Sequence, residues 1–388
     1  MRHHNSVFHD LLKRVSWSTF ERLVDEHGTD KHIRRLSTKS QLIALLYGQL
    51  AGAVSLHEIE GGLESHSTRL YHLGARPASR STLADANAKR SSAVFTGLFA
   101  ELVTRAGRGL RRAVGEATYL IDATSLRLSG AGSQWARFSH KACGAKVHIV
   151  YDAGAERPIY AAVTPANVND ITAAKAMPIE PGATYVFDLG YYDFSWWARM
   201  DQAGCRIVTR FKSHTPLTVL HEQPLGDADA NGGRILSDRI GLLPARQAGN
   251  RKNPFSDPVR EITVQSDTGK VLRILSNDLD ATAQEIADLY KRRWAIELFF
   301  KWVKQTLKIK HFLGVSENAV RIQITVALIA FLLLRMAQAD QKTIKSPWIF
   351  ARLVRANLMH RKRTDSLLKP PNSSRCHNDQ LMLQWTSV

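Results

Sequence analysis

The chain has 388 residues, a formal net charge of +18 at pH 7 and a pI near 10.0. A chain of this length can bury the cores of two or three domains without disulfides. Its three cysteines, Cys143, Cys205 and Cys376, form no close pair, which argues against a zinc site or a disulfide framework and favours a reducing compartment. The charge favours a polyanionic partner, nucleic acid first, with a generally basic, solubilising surface as the alternative.

The sequence shows no signal peptide and no membrane span. Residues 1–17 contain no apolar run that could direct secretion. The most apolar stretch, 326–334, is shorter than the roughly 20 residues that a span requires, and Arg321 and Arg335 bracket it. It is therefore predicted to be a buried helix of a cytoplasmic protein without a membrane partner.

Residues 1–110 are predicted to form a helical domain, because their apolar residues recur at helical spacing. This domain is also expected to bind DNA ends. Within it, residues 76–87 are basic and rich in hydroxyls. Ser79 or Ser81 could cap a helix there, leaving Arg80 free to contact a phosphate in a helix-turn-helix docking on DNA. A capped helix with a solvated arginine explains the same residues equally well.

From residue 117 the pattern changes to short strands separated by turn signals. Strands are predicted at 119–124, 146–152, 158–164, 184–188 and 205–211, with helices at 171–177 and 194–203. Three strands, then a helix, strand, helix and strand, is the layout of a ribonuclease-H-like α/β fold, a mixed sheet with helices on both faces, although a generic α/β sheet could share it. Asp122 falls inside the first strand and Asp188 ends the fourth.

This ribonuclease-H-like domain is predicted to span 111–340. Residues 215–268 break the pattern with Gly-, Asp- and Pro-rich runs, and strands at 234–240 and 260–264 indicate a β-rich insertion. Residues 341–388 are predicted to form a basic C-terminal tail with a flexible end.

Residues 286–305 have helix-forming composition without Gly or Pro. At about 100° per residue, one face of this helix carries an acid among cations and a phenol. The residues on that face are Tyr290, Arg293, Glu297, Lys301 and Lys304. For an isolated helix, a solvated network of salt bridges would be the default interpretation.

The spacing of four of these residues resembles a family signature. Tyr290, Arg293, Glu297 and Lys304 are separated by two, three and six residues, like the tyrosine-arginine-glutamate-lysine signature of bacterial insertion-sequence transposases of the insertion sequence 4 family. Residues 188–193 and 120–124 resemble the same family's two aspartate motifs. No residue of the insertion matches a family motif.

This resemblance implies a DNA transposase of the DDE type, associated with the bacterial nucleoid. Asp122, Asp188 and Glu297 would be the catalytic and metal-binding acids, holding Mg²⁺ or, in its place, Mn²⁺. Tyr290, Arg293 and the lysines Lys301 and Lys304 would contact DNA phosphates. The protein would bind the inverted-repeat ends of its element as a homodimer, cleave double-stranded DNA and join the 3′-hydroxyl to a target.

Simpler interpretations remain for single residues and for the whole chain. Asp122 could be an edge or N-cap carboxylate, and Asp188 could form a turn. Asp170 and Asp193 are predicted to be structural, and Trp196 and Trp197 to pack, with stacking on a displaced base as the alternative. The alternative functions are a ribonuclease-H-like nuclease without strand transfer and a non-catalytic DNA-binding protein derived from a transposase.

Overall fold

The helical region comes first in the fold. The computed structural model describes residues 6–110, 117–140, 142–225, 234–246, 251–266, 269–307, 309 and 311–368. The helices before the sheet are α1 (Val7–Leu12), α2 (Trp17–Glu26), α3 (Thr38–Ala51), α4 (Leu56–Glu64), α5 (Ser67–Leu73), α6 (Arg80–Lys89) and α7 (Ala93–Leu110). Serine hydroxyls cap several of them. Of the two predicted caps for α6, Ser79 is the one used, since its hydroxyl accepts from the backbone N–H of Thr82.

The sheet follows and contains the predicted strands. Its strands are β1 (Thr118–Leu128), β2 (Arg137–Ser139), β3 (Ala142–Asp152), β4 (Arg157–Pro165), β5 (Thr184–Phe187), β6 (Arg206–Arg210), β7 (Thr218–Glu222), β8 (Arg234–Leu242), β9 (Val259–Gln265) and β10 (Val271–Ser276). Two helices connect β4 to β5 and β5 to β6, namely α8 (Asp170–Ala174) and α9 (Phe194–Gln202).

The strand order confirms the ribonuclease-H-like prediction. Strands β4, β3 and β1 pair antiparallel as a meander, and β5 and β6 continue from β1 in parallel through crossover helices. Parallel neighbours need such crossovers, whereas the antiparallel β3 and β4 are joined by a short turn. One face of the sheet packs against the later helices, and the other buries the aromatic residues of α9.

The predicted insertion extends this sheet. Strand β10 pairs antiparallel with β6, and β9, β8 and β7 follow in order, so the strands form one continuous sheet. A buried ion pair fixes the extension, because Arg260 donates to both carboxylate oxygens of Asp238 at 2.8 and 2.6 Å. Arg260 also donates to the carbonyl of Leu279 at 3.0 Å, which attaches β9 to the loop that follows β10.

The chain then returns to helices: α10 (Ala283–Arg292), α11 (Trp294–Thr306), α12 (Glu317–Ala339) and α13 (Pro347–Asn357). The single helix predicted over 286–305 is therefore two helices that meet at Arg293. Among the described helices taken singly, α12 is long and apolar enough to cross a membrane, and 78% of its most apolar window is buried within the protein. This agrees with the buried helix predicted at 326–334.

The segment predicted as a C-terminal tail is partly folded. Helix α13 packs on α3 and α12 and buries Phe350 and Val354, so apolar periodicity outweighs the basic composition that favoured a tail. Beyond it, the carbonyls of Leu358 and His360 accept from the backbone N–H groups of Phe8 and Val7 at 2.8 and 3.0 Å. The flexible end predicted for the chain lies outside the described residues. The predicted boundary between the helical domain and the ribonuclease-H-like domain, near residue 110, also adjoins residues outside the described ranges.

Removing the buried pair of the extension should destabilise the fold. The Asp238 and Arg260 side chains are only 4% and 8% exposed, and loss of one partner from a buried pair costs about 3–5 kcal/mol because the other charge stays buried. We expect Asp238→Ala to lower the free energy of urea unfolding by that amount. Glu222→Ala, which breaks the exposed pair with Arg239, should cost less than about 1 kcal/mol. Equal losses in the two variants would contradict this role.

Candidate active site

Two aspartates lie side by side on neighbouring parallel strands. In the register of β1 and β5, Leu120 pairs with Val186, and Asp122 and Asp188 each follow two residues later. Adjacent strands are about 4.8 Å apart, so the two carboxylates emerge next to each other where β5 ends. The Asp122 carboxylate accepts from the N–H of Ala123 at 2.7 Å, and the Asp188 carboxylate from that of Gly190 at 2.8 Å.

Glu297 is linked to Asp122 through Arg293. Glu297 lies in the first turn of α11, and Arg293 stands at the junction of α10 and α11. The Arg293 guanidinium is 2.5 Å from Oε1 of Glu297 and 3.6 Å from Oδ2 of Asp122. The structure therefore brings together the three acids that the sequence singles out.

The electrostatics of Asp122 reflect this crowding of acids. Burial, together with the charges of Asp188 and Glu297, raises the pKa of Asp122 to about 6, against the opposing effects of the Ala123 N–H and of Arg293. Burial alone would lower the pKa of Arg293, but Tyr290, Glu297 and Asp122 outweigh it and raise that pKa. The arginine stays charged beside a carboxylate that ionises with difficulty.

The other residues predicted to contact DNA differ in how far they are buried. The Tyr290 ring is buried, with the Arg293 guanidinium 5.8 Å from its centroid. Lys301 is exposed and Lys304 half-buried on α11. Arg80 is exposed at the start of α6 and makes no ion pair with the three acids. The structure thus brings Tyr290 and Arg293 to the acids, leaves Lys301 and Lys304 further along α11, and places Arg80 in the helical region.

The neighbours of Asp188 include Asp170, which the sequence predicts to be structural, and Tyr191, which the sequence analysis does not single out. A Cβ added at Gly190 would lie 3.1 Å from Oδ1 of Asp188 and 3.2 Å from Oδ2 of Asp170, so these two carboxylates flank the glycine. Lys146 donates to Asp170 at 3.0 Å and balances its charge. The signal available in the sequence was the glycine two residues after Asp188, which leaves no room for a side chain between the acids.

Tyr191 is the other neighbour of Asp188, and the sequence analysis does not single it out. It is 1% exposed and packs against Phe187 and Trp196, and within the described residues its hydroxyl has no hydrogen-bond partner. Burial, followed by the charges of nearby acids including Asp122, raises its pKa. Trp196 and Trp197 are also 1% exposed, so the packing interpretation is correct and stacking on a displaced base is wrong for both.

The donor set fits a hard divalent ion. Asp122, Asp188 and Glu297 offer carboxylate oxygens only, which are the ligands that Mg²⁺ prefers. In the part of the chain that the structure describes, no three His, Cys, Asp or Glu side chains converge closely enough to hold a metal ion. The Arg293 guanidinium contacts Asp122 and Glu297 there, so these two carboxylates share a cationic partner.

Comparison with known proteins finds similarity to transposases. Residues 115–333, more than half of the chain, match the family model described as "Transposase DDE domain", and residues 3–76 match a "Domain of unknown function (DUF4372)". The chain is 37% identical over 317 residues to a protein of Sinorhizobium fredii named as a transposase, covering 82% of this chain and 86% of that one. It is 26% identical to a protein of Geobacillus stearothermophilus named as the transposase for insertion sequence element IS5377, over 61% and 62% of the two chains.

A solved structure of piggyBac transposase, in a synaptic complex with hairpin DNA, aligns with a TM-score of 0.45 at 12% identity. The alignment covers 95% of this chain and 81% of that one.

The raised pKa of Asp122 has a measurable effect on stability. Between about pH 4 and pH 6 the unfolded carboxyl ionises before the folded one, so the free energy of unfolding falls as pH rises. A pKa displaced from 3.8 to about 6 corresponds to at most about 3 kcal/mol. We expect Asp122→Asn to be more stable than wild type by about 1–3 kcal/mol at pH 7, and the difference to vanish below about pH 4 in urea unfolding.

Asp193 provides a matched control of opposite sign. Burial raises its pKa, but hydrogen bonds from Lys175 and from the Trp196 N–H outweigh this and lower the pKa below its usual value. Its stabilisation is present above the unfolded pKa and is lost as pH falls, so Asp193→Asn should be less stable than wild type at pH 7. If Asp122→Asn were destabilised at pH 7 like Asp193→Asn, the account of Asp122 would be wrong.

Proposed function

Since the chain belongs to the family of transposases with a DDE domain, we propose that Asp122, Asp188 and Glu297 are the carboxylates with which this DNA transposase cuts the ends of its mobile element. The observation that carries the proposal is the proximity of the three acids. Asp122 and Asp188 lie side by side on parallel strands, and Arg293 pairs with both Glu297 and Asp122. Acids that served only to cap a helix or to turn the chain would have no reason to lie this close to one another.

Phosphodiester cleavage and its reversal by a DNA hydroxyl are in-line displacements that build charge on the attacking and leaving oxygens. Mg²⁺ ions, which Mn²⁺ can replace, would be held by Asp122, Asp188 and Glu297 and would stabilise that charge. The charges of both Asp188 and Glu297 raise the pKa of Asp122, after the larger effect of burial. Asp122 is therefore the acid we assign to the centre of the site.

The cations of α10 and α11 supply the DNA contacts in this proposal. The guanidinium of Arg293 presents a planar fork that fits two oxygens of a carboxylate or of a phosphate, and the buried ring of Tyr290 holds it in place. Lys301 and Lys304 follow on α11 and add point charges along the path of the backbone. These four side chains would position the scissile phosphate over the acids.

The wider proposal concerns the reaction as a whole. The protein would bind the inverted-repeat ends of its element, cleave at the boundary and transfer the 3′-hydroxyl to target DNA. Pairing two ends calls for a homodimer on DNA, and the substrate places the protein at the bacterial nucleoid.

Cleavage of a DNA fragment that carries the element's end tests the site. In Mg²⁺ we expect Asp122→Asn, Asp188→Asn and Glu297→Gln each to lower the cleavage rate at least about 100-fold, the scale on which loss of one electrostatic stabiliser acts. The control is Glu317→Gln, because Glu317 is an exposed acid in the first turn of α12, paired with Arg321. Cutting by Glu297→Gln at the rate of the control would refute the assignment.

A second assay separates transfer from simple hydrolysis. A pre-cut end with a free 3′-hydroxyl, incubated with target plasmid and wild-type protein in Mg²⁺, should give joined products that the three acid variants do not form. Cleavage without any joined product would instead identify a nuclease that does not transfer strands.

A further inference from the structure

A basic concavity lies in the helical region, within the segment that matches the domain of unknown function. Its volume is 280 Å³, and three arginines, Arg34, Arg35 and Arg76, contribute to its lining. All three are exposed, and none forms an ion pair with a carboxylate of the described residues. Most other arginines of this region donate to carbonyls or carboxylates, so these three stand out.

The backbone around these arginines is fixed. Leu36, next to Arg35, is buried, and its carbonyl accepts from the Arg90 side chain. On the opposite side, Gly74 ends α5 in a left-handed conformation, with φ of +67°. The chain then turns so that the Arg76 N–H donates to the Ser40 hydroxyl at 3.1 Å. The arginines are therefore flexible side chains on a rigid support.

The one acid that lines the concavity is already engaged. Asp30 accepts from the N–H and hydroxyl of Thr38, at 2.8 and 2.6 Å, and lies 4.0 Å from the buried guanidinium of Arg90. Its charge is thus directed at the start of α3 and at Arg90. The local balance at the surface is positive, on a chain whose net charge is +18.

We propose that Arg34, Arg35 and Arg76 form a docking surface for the phosphate backbone of duplex DNA. The inference rests on the proposed function, since it supplies that reaction with a substrate contact outside the acidic site. Unpaired guanidiniums on a rigid concave support are suited to bidentate binding of phosphate oxygens. Phosphate contacts fix the register of a protein on DNA without reading its sequence, so this surface would hold end and non-end duplexes alike.

Fluorescence anisotropy with labelled duplexes tests the proposal in EDTA, where cleavage is excluded. Each phosphate contact contributes about 0.9 to the slope of log affinity against log salt. We expect Arg34→Ala/Arg35→Ala/Arg76→Ala to flatten that slope by about 2.7 and to weaken binding at least about 10-fold at 0.1 M salt. The loss should be equal for the element's end and for an unrelated duplex.

The matched control removes the same number of charges elsewhere. Arg22, Lys89 and Arg321 are each paired with an acid one turn away, at 3.2, 3.9 and 2.6 Å, and their triple alanine variant should retain the wild-type slope. An unchanged slope in the Arg34/Arg35/Arg76 variant, or equal flattening in both triples, would overturn the proposal. If the first triple does not fold, Arg35→Gln and Arg76→Gln singly should each flatten the slope by about 0.9.

The same protein preparations separate this inference from the proposed active site. Glu297→Gln should bind DNA in EDTA like wild type while failing to cut it in Mg²⁺. The Arg34/Arg35/Arg76 variant should bind weakly but still cut at saturating protein. Active Glu297→Gln refutes the active site, whereas tight, salt-sensitive binding by the arginine variant refutes the docking surface.

Discussion

The packing of α11 between the sheet and α12 is the contact on which the rest of the site depends. Phe299 of α11 meets Tyr151 of β3 at 5.1 Å and Phe331 of α12 at 5.0 Å between ring centroids. Trp302, one turn later, packs edge-on against the same Phe331 at 5.0 Å. Edge-to-face pairs of this kind fix orientation as well as distance, so α11 cannot rotate about its axis without breaking them. Glu297 is held toward the strands for this reason.

This arrangement separates two electrostatic tasks within a strongly basic chain. At the site, a single guanidinium contacts two of the three acids, Asp122 and Glu297. In the helical region, the three exposed arginines of the 280 Å³ concavity form no ion pair with an acid of the described residues. A polyanion is attracted by these arginines and repelled by the acids of the site. Productive binding at the acids therefore requires additional positive charge there, which divalent ions would supply in the proposed mechanism.

The sequence predicted the strands well because strands depend on local patterns. Strand periodicity placed Asp122 and Asp188 at equivalent positions, and the parallel register that makes them neighbours follows from a crossover layout with few alternatives. The signature spacing predicted that Arg293 and Glu297 share a helix face, and the two side chains pair even though the helix breaks at Arg293. The backbone of Arg293 remains helical, with φ of −53° and ψ of −28°, so the spacing of four residues to Glu297 still places both side chains on one face.

What the sequence could not predict depends on long-range contacts. Asp170 reads as a helix-capping acid, and only the folded loop brings its carboxylate beside Gly190 and Asp188. The insertion reads as separate strands, but its place in the sheet depends on β10 pairing with β6. The basic composition after residue 341 concealed α13, whose burial depends on α3, some 300 residues earlier.

The hydrogen bonds between α1 and the segment after α13 have a consequence for synthesis. The N–H groups of Val7 and Phe8 are made first and find their partners, the carbonyls of His360 and Leu358, only when almost all of the described chain has left the ribosome. Contacts this distant in sequence form late in folding. The faces of α3 and α7 that pack on α12 stay uncovered until α12 is made, and α11, which carries Glu297, also arrives late. A prematurely terminated chain would therefore be both an aggregation hazard and incapable of cutting DNA.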